Sequence, residues 1–388
     1  MKVYHFHNGR GGGVLSVIRN ILLFQQNSDI ENHVIHTVNK DLIRKFNTLS
    51  LKGAKTEQVY YYSSNWNFYY TCKQLAKLLP DEDSVIVAHD LLELGMVSNL
   101  GLQNPVVQVL HGDFDYYYEL ARLHEDNIDT HICVSNVIAK KLRQHINSNA
   151  IIRYLRFPVP KVLDIKYKVD KILNCAFFVR DLTDERKGVN LLPKIEKLLL
   201  ENDVRINWHI AGGGMNKQDL VNSWGEFFSE RIIFWGELNR KGIDNMLRKC
   251  NVMILPSYAE GLPVAVVEGM KYGLVPIIPS WDGAVEELVI NNKTGFFCDV
   301  KDVNSFAEKI IYLNKYRSIL QEMSLDARVY SNSLFDPHNN TRAYEAEFKN
   351  AALNKKSKIQ FQSYGSRLDK SWIPNVLVDK IRKLTKNK

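Results

Sequence analysis

No run of apolar residues in this chain reaches the roughly 18 that a membrane-spanning helix needs, and the opening stretch MKVYHFHNGRGGG has no long apolar block of the secretory kind. A cytoplasmic protein is expected. No Cys-x-x-Cys pair occurs among the five cysteines, Cys72, Cys133, Cys175, Cys250 and Cys298, and their number is odd. Neither a disulfide framework nor a zinc site is thereby suggested, so reduced, mostly buried thiols are expected. Repeats of solenoid length and low-complexity tracts are also missing. So is a globally basic surface, although the formal net charge is +8: residues 351–388 hold ten Lys or Arg against Asp369 and Asp379, which leaves 41 charges of each sign in residues 1–350. No nucleic-acid partner is expected. A basic tail can still serve as a local electrostatic attachment.

What is present is a long alternation of short β-branched or aromatic runs with helical patterns. VYHFH (3–7), HVIHTV (33–38), SVIVAH (84–89), PVVQVL (105–110) and THICV (130–134) come first, with helical spacing at Val14 to Leu23 and Leu91 to Leu100. After the proline-flanked RFPVPKVLDIKYK (156–168) the pattern begins again with ILNCAFFV (172–179), INWHIA (206–211), RIIFW (231–235), NVMIL (251–255) and LVPIIP (274–279). Such alternation specifies βα units on a parallel sheet. Over 388 residues, 45% of them hydrophobic, it fits an α/β chain with two Rossmann-like domains facing each other across a cleft. The expected division is 1–160, 161–335, and a helical return segment with the basic tail at 336–388. Helices are further expected from Asp302, a good N-cap, to Asn314 and from Ser318 to Tyr330.

The stretch EGLPVAVVE (260–268) follows a strand and a turn, and Pro263 suits the first turn of a helix running to about Tyr272. Glu260 then lies just before the helix and Glu268 nearly two turns inside it, on the order of 10 to 12 Å away at 1.5 Å per residue. A glycosidase acid/base pair is closer, at roughly 5 to 9.5 Å. The two acids instead suit opposite ends of an extended ligand, with an anion at the helix N-terminus between them. A nucleotide diphosphate-sugar has that layout. The alternative for Glu268 is a surface pairing with Lys271 or another base.

Cations for a diphosphate are offered by Arg180-Asp181-Leu182-Thr183-Asp184-Glu185-Arg186-Lys187-Gly188, expected as a loop after the strand ending at Val179. The same stretch also reads as a solvated loop whose acids balance its bases. Gly9-Arg10-Gly11-Gly12-Gly13 lies between the first strand and first helix, where glycines let backbone amides approach a phosphate. It does not complete a G-x-G-x-x-G fingerprint. His111-Gly112 follows strand PVVQVL, at a sheet edge where His111 can orient a hydroxyl or move a proton, or serve only structure.

Taken together, EGLPVAVVEGM, Arg180, Lys187-Gly188, Gly12-Gly13, His111-Gly112, Cys133-Val134-Ser135-Asn136 and Phe234-Trp235-Gly236-Glu237-Leu238 resemble the retaining group 1 (family 4) glycosyltransferases over residues 1 to about 350. The resemblance implies a GT-B fold with the donor on the second domain and the acceptor on the first. It implies that Glu260 meets the transferred sugar, that Glu268 meets the ribose, that Arg180 and Lys187 hold the diphosphate, and that Gly261, Leu262 and Val264 also bind the donor. Gly12 and Gly13 would close on the phosphates, His111 would lie beside the sugar, and backbone near Leu238 would lie against the base. No metal and no cofactor are implied. The implied catalytic set is His111, Arg180, Lys187 and Glu260, acting by front-face transfer, with domain closure excluding water. Val179 stands where the family usually has Gly.

The expected reaction moves a hexose-type sugar from a nucleotide-diphosphate donor, UDP ahead of GDP or ADP, to a surface glycan, lipopolysaccharide or glycolipid. The acceptor domain is rich in aromatics: Tyr60 to Tyr62, Trp66, Phe68 to Tyr70, Phe114 and Tyr116 to Tyr118. Ser371 to Leu384 mixes apolar and basic residues at helical spacing, which suits an interfacial helix on the inner face of a membrane or a self-packed tail. The competing readings are a carbohydrate or nucleic-acid binding protein without catalysis, and a nucleotide-sugar modifying enzyme. The first of these leaves Arg180, Lys187 and both glutamates without a role.

Overall fold

The computed structural model describes residues 1–9, 12–43, 46, 50–165, 171–281 and 285–386. Arg10 and Gly11, in the first glycine-rich turn, and Tyr167 and Lys168, at the end of the proline-flanked segment, lie outside the described residues. The chain divides into two units: Met1–Pro158 with Pro337–Lys388, and Val159–Asp336.

Unit 1 is built on a seven-stranded parallel sheet. Its strands are β1 (Lys2–His7), β2 (Glu31–Asn39), β3 (Thr56–Tyr62), β4 (Val85–Ala88), β5 (Val106–Leu110), β6 (Thr130–Cys133) and β7 (Ile152–Tyr154), in the order β3-β2-β1-β4-β5-β6-β7. Every residue of β4 and β5 is buried, as continuous apolar strands require when helices cover both faces of a parallel sheet. Phe6, Ile35, Ile86, Ala88 and Val106 from the strands pack with Cys72 and Leu75 of helix Phe68–Ala76 and with Met96 and Val97 of helix Leu91–Leu100. That second helix is fixed at both ends. Asp90 and Glu93 form a capping box at its start, and Gly101 closes it in the left-handed conformation.

Unit 2 carries β8 (Leu173–Asp181), β9 (Ile206–Gly213), β10 (Ile232–Gly236), β11 (Val252–Ile254), β12 (Val275–Pro279) and β13 (Phe296–Cys298), all parallel, in the order β10-β9-β8-β11-β12-β13. Trp208, Trp224, Phe177 and Phe306 are buried in its core, and the Trp208 indole donates to Glu196 at 2.8 Å. The helix expected to begin at Asp302 runs Val303–Lys315, with the Asp302 carboxylate accepting from the Asn304 and Ser305 N–H groups. All five cysteines are buried and none is in a disulfide.

In each unit the chain winds outward in both directions from the first strand, so the strand order reverses between β1 and β4 and between β8 and β11. Ligands of open α/β sheets bind at the carboxyl ends of the strands flanking such a reversal. Three strands escape the sequence pattern. β3 is a partly exposed edge strand, and β7 and β13 have only three residues each. β8 also outruns its expected end at Val179 by two residues. Its pairing with β9 shifts register between Phe178 and Asp181, so Arg180 stands in a bulge at the strand end rather than in a free loop.

Candidate active site

Two loops converge at the reversal point of unit 2. After β8, residues Glu185–Lys187 and Val189–Leu191 form two short 3₁₀ turns with Gly188 between them. Gly188 has φ +71, and a Cβ there would lie 2.1 Å from the Pro256 carbonyl oxygen. Only glycine allows this loop to press against the segment after β11. The Tyr258 N–H donates to the Arg186 carbonyl at 2.7 Å and ties the same two loops. The result is an ion pair across the reversal: Lys187 Nζ lies 2.6 Å from Glu260 Oε1, with the carboxylate side chain 11% exposed.

The Glu260 carboxylate is held from a second side. Ser257, buried, donates its hydroxyl to Oε1 at 2.8 Å, and the Trp281 indole donates to the Ser257 carbonyl at 2.9 Å. Sequence reasoning missed both supports, because a small polar residue and a distant tryptophan carry no local signal. The neighbouring acids are satisfied within their own loop. Arg186 donates twice to Asp184, at 2.9 and 2.8 Å, and these bonds lower the Asp184 pKa. Thr183 likewise donates to Asp181 and lowers its pKa. Arg186 is thus engaged on its own loop, and Lys187 faces Glu260.

Helix Val264–Lys271 begins directly after Gly261, Leu262 and Pro263, all buried. Pro263 is its N-cap rather than a residue of its first turn. The N–H groups of Val264 and Ala265 precede the intrahelical ladder, so the helix end presents donors beside the Glu260 segment. Glu268 lies further along, where Arg240 Nη1 donates to Oε1 at 2.6 Å. A base does pair with Glu268, as the surface alternative foresaw, but it is not Lys271. The Lys271 ammonium is buried against Asn332 Oδ1 at 3.1 Å and the Phe335 carbonyl at 3.0 Å, and burial pushes its pKa down to about 7. Arg240 opens the helix Arg240–Leu247, two residues after the half-buried Leu238. Glu260, Lys187, Arg240 and Leu238 therefore belong to loops or helix starts following β8, β10 or β11, and Glu268 to the helix after β11.

The remaining expected residues lie in unit 1. Gly12, φ +115, precedes helix Gly13–Leu23 after β1. His111 follows β5 and shares a 2.7 Å hydrogen bond between its Nε2 and His89 Nδ1. Burial pushes the His111 pKa down to about 4, so the imidazole is neutral at neutral pH and suits hydrogen bonding better than charge. Two Asp-x-Asp triplets, a pattern able to ligate metals, occur in the same unit. One acid of each is engaged elsewhere: Asp113 with Lys141 at 2.6 Å and Tyr118 at 2.7 Å, and Asp81 with Lys2 at 3.0 Å and Ser84 at 2.5 Å. Among the described residues no three His, Cys, Asp or Glu side chains converge as a metal site would need.

Residues 164–329 match the family model described as glycosyl transferases group 1. An uncharacterised glycosyltransferase of Methanocaldococcus jannaschii is 26% identical over 216 residues, 56% of this chain and 57% of that protein. The Escherichia coli UDP-Gal:α-D-GlcNAc-diphosphoundecaprenol α-1,3-galactosyltransferase is 24% identical over 209 residues, 52% of this chain and 53% of its own. The chain spans about half the length of the curated relatives it matches. Among solved structures, Anabaena HepE in complex with UDP and glucose superposes with a TM-score of 0.70 at 14% identity, covering 90% of this chain and 100% of that one.

The fold is GT-B. The segment that resembles the group 1 glycosyl transferases contains Arg180, Lys187, Leu238, Glu260 and Glu268.

Proposed function

We propose that the protein is a retaining glycosyltransferase that moves a hexose-type sugar from a nucleotide-diphosphate donor, UDP first among the candidates, to a surface-glycan, lipopolysaccharide or glycolipid acceptor. The observation that carries this reading is the Lys187–Glu260 pair across the reversal point of unit 2, at the head of helix Val264–Lys271. A cation, a carboxylate and helix-end N–H donors at one place match a ligand that is anionic at its centre and hydroxylated at its end. Arg180 and Lys187 bind the diphosphate, Glu260 takes sugar hydroxyls, and Glu268 takes the ribose diol in exchange for Arg240. The galactosyltransferase relative, whose name specifies a UDP-galactose donor and a lipid-diphosphate-linked acceptor, supports the choice of UDP and of a lipid-linked glycan.

The chemistry asks little of general bases. The bond from the anomeric carbon to the diphosphate oxygen breaks while the acceptor oxygen bonds to the same face, and the acceptor proton passes to the departing diphosphate. Charge building on that diphosphate is offset by Arg180 and Lys187, so electrostatic stabilisation is the main catalytic contribution. Neutral His111 suits a hydrogen bond to a sugar hydroxyl, and Gly12 and Gly13 suit a close backbone approach to a phosphate. No metal or cofactor enters.

The tail gives the reaction a place, on the cytoplasmic face of a membrane. Helix Asn375–Lys386 buries Val378 and presents Val376, Leu377, Lys380, Lys383 and Leu384 along one exposed side, with Trp372 ahead of it 78% exposed. Apolar residues flanked by lysines suit the headgroup region of an anionic leaflet. No helix among the described residues is long and apolar enough to cross a membrane. Screening UDP-, GDP- and ADP-sugars for thermal stabilisation tests the donor, since a ligand at 100 times its dissociation constant adds about 2.7 kcal/mol. Proton NMR of the glycoside product then reads retention; an inverted product or no stabilisation by any donor removes the proposal.

A further inference from the structure

Unit 1 has its own cavity at its own reversal point. It measures about 770 Å³, within the range of small-molecule sites, and none of the residues discussed in unit 2 lines it. Asn8, Thr37, Asn39, Tyr62 and Asp90, at the carboxyl ends of β1, β2, β3 and β4, form its floor. Across the reversal, Asn8 Nδ2 donates to Asp90 Oδ2 at 2.9 Å, and the Tyr116 hydroxyl donates to Asp90 Oδ1.

The C-terminal tail also lines it, through Ser363 to Ser366, Asp369 and Arg382. This strap is bolted down. The Phe68 N–H donates to Asp369 Oδ1 at 2.6 Å, and Asn67 Nδ2 donates to the Lys370 and Ile373 carbonyls at 2.9 and 2.8 Å. Arg382 donates to the Trp66 carbonyl, the Ser366 hydroxyl and Asp369 Oδ2 at 2.5, 2.9 and 2.6 Å. Tyr364 rests edge-on against Phe68 at 5.3 Å.

Two features decide what fits. Among the described residues that line it, Arg382 is the one cation, and it is paired with Asp369, which is 3% exposed, while Asp90 adds a carboxylate to the lining. Among the described lining residues a phosphate or other anion meets no unpaired cation and does meet the Asp90 carboxylate. Tyr62, Trp66, Phe68 and Tyr364 alternate with Asn, Ser and Thr groups, which suits a pyranose ring: aromatic faces for its C–H side, amides and hydroxyls for its rim.

We propose that this cavity binds a neutral glycoside and that the tail strap is part of the binding site, so the C-terminal residues select the acceptor as well as anchoring the chain. Calling that ligand the acceptor rests on the transfer reading, whereas the binding itself does not. Saturation-transfer NMR on the full chain with the methyl pyranosides of glucose, galactose, N-acetylglucosamine and N-acetylgalactosamine tests it. At least one is expected to receive saturation on its ring protons, and Tyr364→Ala and Asp90→Asn, each checked for an unchanged melting temperature, are expected to weaken that binding tenfold or more with UDP affinity unaltered. Silence from all four glycosides, or equal binding in both variants, overturns the site. UDP binding that fails while glycoside binding persists removes the transfer reading and leaves this one standing.

Discussion

The two units share one winding order and differ in what bridges the reversal of that order. In unit 1 the bridge is Asn8 to Asp90, a hydrogen bond from a neutral amide; in unit 2 it is Lys187 to Glu260, an ion pair beside a helix end. The same backbone topology thus offers a hydroxyl-seeking recess with a carboxylate held by an amide in one case and a cation–carboxylate pair in the other. Fold sets where a ligand goes, and the side chains on two loops set its charge. Titratable groups divide just as unevenly: ten of the 11 histidines lie in unit 1, and unit 2 has only His209.

The sharpest way to break this contrast is to discharge unit 2. Lys187→Ala is expected to cut turnover about 10²- to 10³-fold, the size of losing one preorganised charge-stabilising contact. Steady-state kinetics with the donor found by screening reads the loss; turnover within threefold of wild type removes Lys187 from the charge-stabilising role. Glu260→Gln should abolish transfer to a similar degree with the melting temperature preserved, because a glutamine can still accept the Ser257 bond. Glu268→Ala should act more gently, raising the donor KM about tenfold with kcat little changed, as expected of a contact made equally in ground and transition states.

Acid should separate the units. His5, His111 and His124 are pushed down to about 4, His131 to about 3 and His89 well below the ordinary 6.5, all chiefly by burial. A histidine whose folded pKa is depressed binds fewer protons folded than unfolded, so its contribution is lost as pH falls from about 6.5 toward 4. Glu93, raised by burial, works in the opposite sense but is outnumbered. Hydrogen exchange on acidification should therefore open unit 1 before unit 2, and simultaneous loss would contradict the division. Unit 2 has its own marker at the alkaline side. Lys271, at about 7 folded and 10.5 unfolded, makes stability rise across that window by about 1.4 kcal/mol per pH unit, a slope that Lys271→Met should remove. The smallest effect expected is Asp302→Ala, about 1 kcal/mol from the lost N-cap bonds to Asn304 and Ser305.

Much of this was legible in the chain before any coordinates. Ten of the strands announce themselves as apolar runs because parallel strands are buried on both faces, whereas β3, β7 and β13 are edge-like or too short to leave a pattern. Glu260 and Lys187 were nameable because glycine, proline and charge punctuate their loops. Their 2.6 Å contact was not, since the two residues are 73 positions apart and meet only because β8 and β11 become neighbours. Arg240 as the partner of Glu268 was missed for the same reason, and Lys271, four helix positions from apolar Val267, gave no hint of its buried carbonyl partner. The tail was readable as basic and amphipathic. That it also walls a cavity over β1 to β4 depends on Asn67, Phe68 and Arg382 meeting through backbone groups, which no sequence pattern records.

Hydrogen exchange in the presence of saturating UDP addresses the charged reversal point most directly. The account predicts added protection in residues 180–188 and 256–268, lost in Lys187→Ala, with no change at residues 363–369 of the strap. Protection confined to unit 1, or the same protection with Lys187 removed, would contradict it.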